Sequence, residues 1–172
     1  MGIEKEFNQV KLFSGIIYRS TQVYEETKKK LELLFSPVDL EVGPFNFDFT
    51  TYYNREMGTP LFRRFISFEK LISPEELPDI KILTDNIEME TAINGNRIIN
   101  LDPGYLSEAN VIIATTKNHY HRVPLSKGIY AHIEYVIKKK KIEPLEWTYP
   151  DFRTPQYIQF FERLNLLFKQ SK

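Results

Sequence analysis

The chain has no cysteine among its 172 residues, which excludes disulfides, thiolate catalysis and Cys-ligated zinc or iron–sulfur centres in one step. It has no excess of either charge, since Lys plus Arg and Asp plus Glu stand at 23 each. A net charge of zero supplies no global field for nucleic acid or an anionic membrane, so any anion site must be local. Glycine is scarce, with seven residues and no cluster. No apolar run approaches the ~20 residues of a membrane span. Met1 to Glu6 hold two Glu and one Lys where a leader would carry an apolar segment, so the expected location is cytoplasmic.

What the chain does carry is aromatic weight. Ten Tyr and thirteen Phe raise the aromatic share to 14%, read chiefly as a bulky core. Lys and Glu dominate the charges and prolines fall mainly between elements, a composition compatible with a thermophilic source. The chain is read as a single α+β domain spanning 1–172, a size at which folding removes roughly 70% of the unfolded surface from water.

Val10 to Tyr18 reads as a first strand, with Ser14-Gly15 as a point of close approach. Ser20 or Thr21 caps a helix through about Phe35, and Pro37 ends it. Val38 to Phe49 reads as a half-buried strand, with Phe45, Phe47 and Phe49 on one side and Asn46, Asp48 and Thr50 on the other. Leu61 to Phe68 is a further strand. Ser73-Pro74-Glu75-Glu76 carries a capping box, and Pro78 implies a helix that restarts there and runs to the Asn94-Gly95-Asn96 turn. Arg97 to Leu101 is a strand, Asp102-Pro103-Gly104 a turn, and Val111 to Thr115 a buried strand after a short helical turn at Ser107 to Asn110. Ile129 to Ile137 and Ile142 to Trp147 form a hairpin through Lys138 to Lys141, a run read as a solvated turn and not as a nucleic-acid patch. Thr154-Pro155 opens a last helix to about Phe168, with Ile158, Phe161, Leu164 or Asn165, and Phe168 inward. This order predicts an α+β sandwich: a split βαβ (ferredoxin-like) sheet, mostly antiparallel, with helices on one face and a C-terminal hairpin and helix added.

Between Asn100 and Arg122 polar groups crowd the mouths of two buried strands, where they are costly unless paired or used. Asp48, Glu56, Glu69 and Asp102 could supply oxygen ligands for Mg²⁺ or a general base; alternatively Asp102 caps its turn and Asp48 braces Tyr52-Tyr53. Arg63, Arg64, Lys70, Lys117 and Arg122 could clamp a phosphate or carboxylate, or Arg64 pairs internally with Glu69 or Asp48. His119-x-His121 has the spacing of two strand ligands for zinc, with His132 as a third, but no Cys or local carboxylate joins them, so no metal site is assigned. His121 is read instead as a phosphate donor or proton shuttle. No Ser sits in a G-x-S-x-G elbow.

The expected ligand-binding set is Asp48, Arg64, Glu69, Asn100, Asp102, Thr115, Thr116, Lys117, His121 and Arg122. It suits a small phosphorylated or nucleotide-like ligand. The competing reading is a non-enzymatic module for RNA or a protein partner, using Trp147, Tyr149 and Phe152 with the basic hairpin. Convergence of Asp48, Arg64, Asp102, Lys117 and His121 on one cleft would favour the first, and their dispersal the second.

Five segments carry a family resemblance: Phe47-Asp48-Phe49-Thr50-x-Tyr52-Tyr53-x-x-Glu56-Met57-Gly58, Arg64-x-x-Ser67-Phe68-Glu69, Asn100-x-Asp102-Pro103-Gly104-Tyr105, Ala114-Thr115-Thr116-Lys117 and Trp147-Thr148-Tyr149-Pro150-Asp151. Together they resemble a bacterial and archaeal family defined as a domain of unknown function, DUF4416, over nearly the whole chain. Some members carry the label GTP-binding protein. The residues do not support ordinary GTPase chemistry: there is no G-x-x-x-x-G-K-[ST] loop to cradle phosphates. Thr116-Lys117-Asn118 has the look of a guanine-reading loop but lacks the Asp that would bind the base.

Overall fold

Val10–Tyr18 (β1) is buried at every position, the pattern of a strand packed on both faces. In the computed structural model, which describes residues 2–139 and 141–171, its two faces meet different layers. Leu12 and Ile16 pack with Tyr24 and Leu31 of Thr21–Leu34 (α1) and with Ile80 and Ile87 of Leu77–Thr91 (α3). Phe13 turns the other way, onto Phe160, Phe161 and Phe168 of Pro155–Gln170 (α4). Rings dominate this second layer: Phe13 meets Phe161 edge-on with centroids 5.0 Å apart, and Phe65 stacks on Phe160 at 5.0 Å. The aromatic load is therefore mainly core, as expected.

The remaining elements are Val38–Asn46 (β2), the short helix Asn54–Met57 (α2), Phe62–Ile72 (β3), Ile99–Leu106 (β4), Asn110–Thr115 (β5), Arg122–Pro124 (β6), Tyr130–Lys138 (β7) and Lys141–Pro144 (β8). They form one antiparallel sheet in the order β2-β3-β1-β4-β5-β7-β6, with β8 also on β7. Because β3 runs antiparallel to both β1 and β2 and lies between them, the first four strands and their two helices make the expected split βαβ unit. α1 and α3 share one face. The added C-terminal helix covers the other. Among the described residues no helix is long and apolar enough to cross a membrane.

Several boundaries differ from the sequence reading. β2 stops at Asn46, so Phe47 is buried while Phe49 is exposed. β3 continues to Ile72. A 3-10 turn at Pro74–Glu76 precedes α3, which places Pro78 in the first turn of that helix, where its missing N–H costs nothing. Ser107 to Asn110 is a hairpin turn, not a helical one, and the Ser107 hydroxyl accepts from the backbone of Ala109 and Asn110. The lysine turn has Lys138 paired with Lys141, and Lys140 lies outside the described residues.

Asp102-Pro103-Gly104, expected as a turn, is strand. It lies in the middle of β4, opposite Gly15, Ser14 and Phe13 of β1. Proline is tolerated there because the β4–β5 ladder begins only at Gly104–Ile113, so β4 has a partner on one side alone at that level.

Candidate functional site: a cavity between parted strands

β4 and β5 pair through just three positions, Gly104–Ile113, Tyr105–Ile112 and Leu106–Val111. Beyond them the strands part, and the free ladder groups of β4 are satisfied from α3. The Lys81 ammonium donates to the Leu101 carbonyl at 3.0 Å, and the Glu88 carboxylate accepts from the Leu101 N–H at 2.5 Å. Into this opening falls a cavity of about 640 Å³. Asn100 and Asp102 line one side and Ile113 to Lys117 the other. Phe47, Phe49, Tyr52 and Tyr53, which follow β2, and Tyr149 to Phe152, which precede α4, complete its walls.

One guanidinium organises the floor. Arg63 projects from β3 across β1, passing over Gly15, where a Cβ would stand 2.6 Å from its Nη1. It reaches Asp102 on β4 at 2.9 Å and Asp151 at 3.5 Å. The rings of Phe47, Phe65 and Phe152 surround its Cζ at 5.0, 5.6 and 5.8 Å. Burial raises the Asp151 carboxyl above its ordinary range, with Arg63 opposing. The small residue noted in β1 is thus the gap through which the floor cation passes.

At the α3 side, Arg97 holds Glu56 through two donors at 2.8 Å each, touches Glu88 at 3.2 Å and donates to Asn100 Oδ1 at 2.9 Å. Since an arginine can only donate, Asn100 Oδ1 is the acceptor and its Nδ2 is the free end. That Nδ2 is buried without a hydrogen-bond partner among the described residues. Burial pushes the Glu88 carboxyl up to about 7, held from rising further by Lys81 and the Leu101 N–H. Sign follows from linkage: the folded chain keeps a proton that the unfolded chain, at 4.5, has lost. Stability should therefore fall as pH rises from about 4.5 to 7, with a ceiling of about 3 kcal/mol from this group. Urea unfolding at both ends of that window should show a smaller decline for Glu88→Gln than for the parent chain; equal declines would refute the assignment.

On the β7 side, His132 borders the cavity, stacked on Tyr149 with centroids 5.0 Å apart. Its Nε2 lies 2.8 Å from Glu134, and its Nδ1 faces Arg122 Nε at 3.2 Å and His121 Nε2 at 3.1 Å. His119 reaches the opposite nitrogen of His121, Nδ1, at 2.9 Å. Since His121 presents different ring edges to its two neighbours, the three rings do not aim at a common ion. Arg122 also donates to the Tyr149 hydroxyl at 2.6 Å and to the Lys117 carbonyl at 2.8 Å.

Of the expected ligand set, Asn100, Asp102, Thr115, Thr116 and Lys117 line the cavity. His121 and Arg122 stand one layer behind it, against His132 and Tyr149. Three residues lie elsewhere. Arg64 points to the α1 face, bonded to Tyr18 at 2.8 Å and Glu41 at 2.7 Å, because neighbours on a strand face opposite ways; its pairing is internal, though not with Glu69 or Asp48. Glu69 is exposed near the far end of β3, and Asp48 is exposed just past Phe47. Asp102 neither caps a turn nor stands free, since Arg63 holds it. Arg97, Glu88 and Glu134 escaped the sequence reading as site residues, and Asp151 entered it only within the family motif; the only local signal was their polarity beside apolar runs.

Carboxylates at the cavity already have cations: Asp102 and Asp151 share Arg63, Glu88 faces Arg97, and Asp85 pairs with Lys81 at 2.8 Å. Among the described residues no group of three or more His, Asp or Glu is spaced to hold one metal ion, which leaves the expectation of Mg²⁺ on Asp48, Glu56, Glu69 and Asp102 without a geometric basis, and Glu56 is held by Arg97. Lys117 has no carboxylate partner among the described residues; its ammonium sits 4.5 Å over the Tyr52 ring, 3.4 Å from the hydroxyl. Searches of the curated proteins and of the solved structures find no match to the chain. The family described as domain of unknown function DUF4416 matches residues 8–168, nearly all of the strands and helices that build the cavity, and the chain belongs to that family.

Proposed function

We propose that the chain binds a small anionic molecule with a flat ring, of phosphorylated or nucleotide-like type, in the cavity between β4 and β5. One observation carries this reading: the spare hydrogen-bonding capacity around the cavity is donor capacity. Asn100 Nδ2 lacks an acceptor, and Lys117 lacks a carboxylate among the described residues, whereas the acidic groups are already matched by Arg63, Arg97 and Lys81. A ligand rich in acceptors and negative charge completes such a site. Phe47, Tyr53, Tyr149 and Phe152 supply apolar ring surface for its flat part.

The test is thermal shift against nucleotides, sugar phosphates and inorganic phosphate. A ligand at a hundred times its dissociation constant adds about 2.7 kcal/mol of stability. Lys117→Ala should leave the ligand-free Tm within about 1 °C and reduce or abolish the shift. A Lys117→Ala chain that responds like the parent would rule out Lys117 as an anion contact. A flat panel would shift weight to an RNA- or protein-binding module, for which the exposed rim of Tyr52, Tyr120 and Tyr149, at 59%, 80% and 40% accessible, is the supporting feature.

A further inference from the structure

All three histidines of the chain lie in one line that ends on a buried carboxylate. His119 is at the surface and His121 half-buried, while His132 and Glu134 are 1% and 0% exposed. Successive polar atoms are 2.9, 3.1 and 2.8 Å apart from His119 inward. The first two gaps are hydrogen bonds, whereas His132 Nε2 and Glu134 Oε2 stand close but out of line, each without a hydrogen-bond partner among the described residues.

Arg122 sets the direction of every proton. Its Nε–H can only donate, so the His132 Nδ1 it faces is an acceptor, and the neutral ring carries its hydrogen on Nε2, toward Glu134. His121 Nε2 faces that same acceptor and must be the protonated nitrogen of its own ring. His121 Nδ1 then accepts from His119 Nδ1–H. A single arginine thus orders the chain of donors from solvent to Glu134.

The rings are held in place by stacking, His121 on Trp147 at 4.9 Å and His132 on Tyr149. Besides its ring neighbours, His121 faces the Arg122 charge. Glu134 accepts the Tyr149 N–H at 2.8 Å and feels the charge of Asp151. Burial raises the Glu134 carboxyl, and partial burial with neighbouring His132, His119 and Arg122 lowers His121. Each shift runs in the sense that eases passage inward, away from the His121 ring and toward the Glu134 carboxylate.

We propose that His119, His121, His132 and Glu134 form a proton-transfer site linking solvent to the wall of the cavity. An acid in solvent protonates His119 Nε2; Nδ1–H of His119 passes to His121 Nδ1, Nε2–H of His121 to His132 Nδ1, and, once the ring and the carboxylate turn into line across their 2.8 Å contact, Nε2–H of His132 to the Glu134 carboxylate. Each ring gains one N–H bond and loses another, so all three stay neutral with reversed tautomers; because the new His132 Nδ1–H would face the Arg122 Nε–H, the guanidinium must swing off that nitrogen for the transfer to complete. Glu134 alone gains a proton. If the cavity takes an anion, as the function proposed above holds, this step removes a negative charge from behind Tyr149 and Asp151 and couples anion binding to proton uptake.

Long-range ¹H–¹⁵N spectra of the full chain labelled at histidine test the relay without any ligand. Expected are Nε2–H forms for His121 and His132 and the less common Nδ1–H form for His119, with titration steps shared among the rings. Glu134→Gln should move the steps seen at His132 and His121. His119→Ala, confined to the surface, should preserve the fold and change the titration of His121. Three independent midpoints unaffected by either substitution, an Nε2–H form at His119, or stoichiometric Zn²⁺ uptake by the three rings would overturn the relay. Those outcomes are separate from a flat thermal-shift panel, which bears on the anion site alone.

Discussion

Arg63→Met is expected to destabilise the chain by about 3–5 kcal/mol, because removing one member of a buried ion pair leaves the other charge without compensation. Here two charges are stranded. Asp102 and Asp151 both depend on Arg63, and Asp151 is the more deeply buried. Met fills much of the space over Gly15 and beneath Phe47 and Phe152, so the loss reports charge more than volume. For a chain of this length the fall in Tm should be roughly 10 °C or more. Lowering the pH should shrink the deficit, since protonating both carboxylates removes the stranded charges. Arg64→Met is the matched control, one residue along the strand. Glu41 would keep Lys28 and the Tyr24 hydroxyl as partners, and the loss should be about 1 kcal/mol. Equal losses at 63 and 64, or a deficit at 63 that does not change with pH, would show that Arg63 is not the counter-charge of the cavity floor.

That pair of arginines also marks how far the sequence could be read. Alternation says that Arg63 and Arg64 face opposite ways, but it does not say which face will hold a cavity. The choice depends on Asp102 and Asp151, which lie 39 and 88 positions further along. Strands and helices with strong local patterns were legible: β1, α1, the β7–β8 hairpin and α4 fall close to where periodicity and caps place them. Asp102-Pro103-Gly104 misled because proline and glycine usually punctuate turns. In this chain each serves the strand, proline where β5 has not yet joined and glycine where the β5 backbone and the Phe13 ring crowd in. The histidine spacing was visible, but the order of the line was not, since it is imposed by Arg122 and by a glutamate two residues after His132.

The cavity exists because the β4–β5 ladder is short, and the same ladder locates the other large effect. Gly104→Ala should destabilise by about 3 kcal/mol or more, at the upper end of overpacking costs. A Cβ at this position would collide with the Ile112 carbonyl oxygen and stand 2.7 Å from Phe13 Cζ. The first obstacle is backbone, and Phe13 is pinned by Phe160 and Phe161 at 6.4 and 5.0 Å, so neither can yield cheaply. Relief requires β4 and β5 to separate at Gly104–Ile113, the pair nearest the opening. Amide exchange should accelerate first at Val111 to Ile113 and at Leu106, and only later in β1 and β3. Gly128→Ala provides the contrast: it has φ +77° but nothing within 4 Å of the added carbon, so only backbone strain of about 1 kcal/mol applies. A parted ladder would also widen the cavity and move Asn100 away from Thr115, so any ligand shift of the parent chain should weaken in Gly104→Ala while surviving in Gly128→Ala. An unchanged urea midpoint for Gly104→Ala would mean that the strands already stand farther apart at this level than the ladder implies, and the three-pair hinge of the site would have to be redrawn.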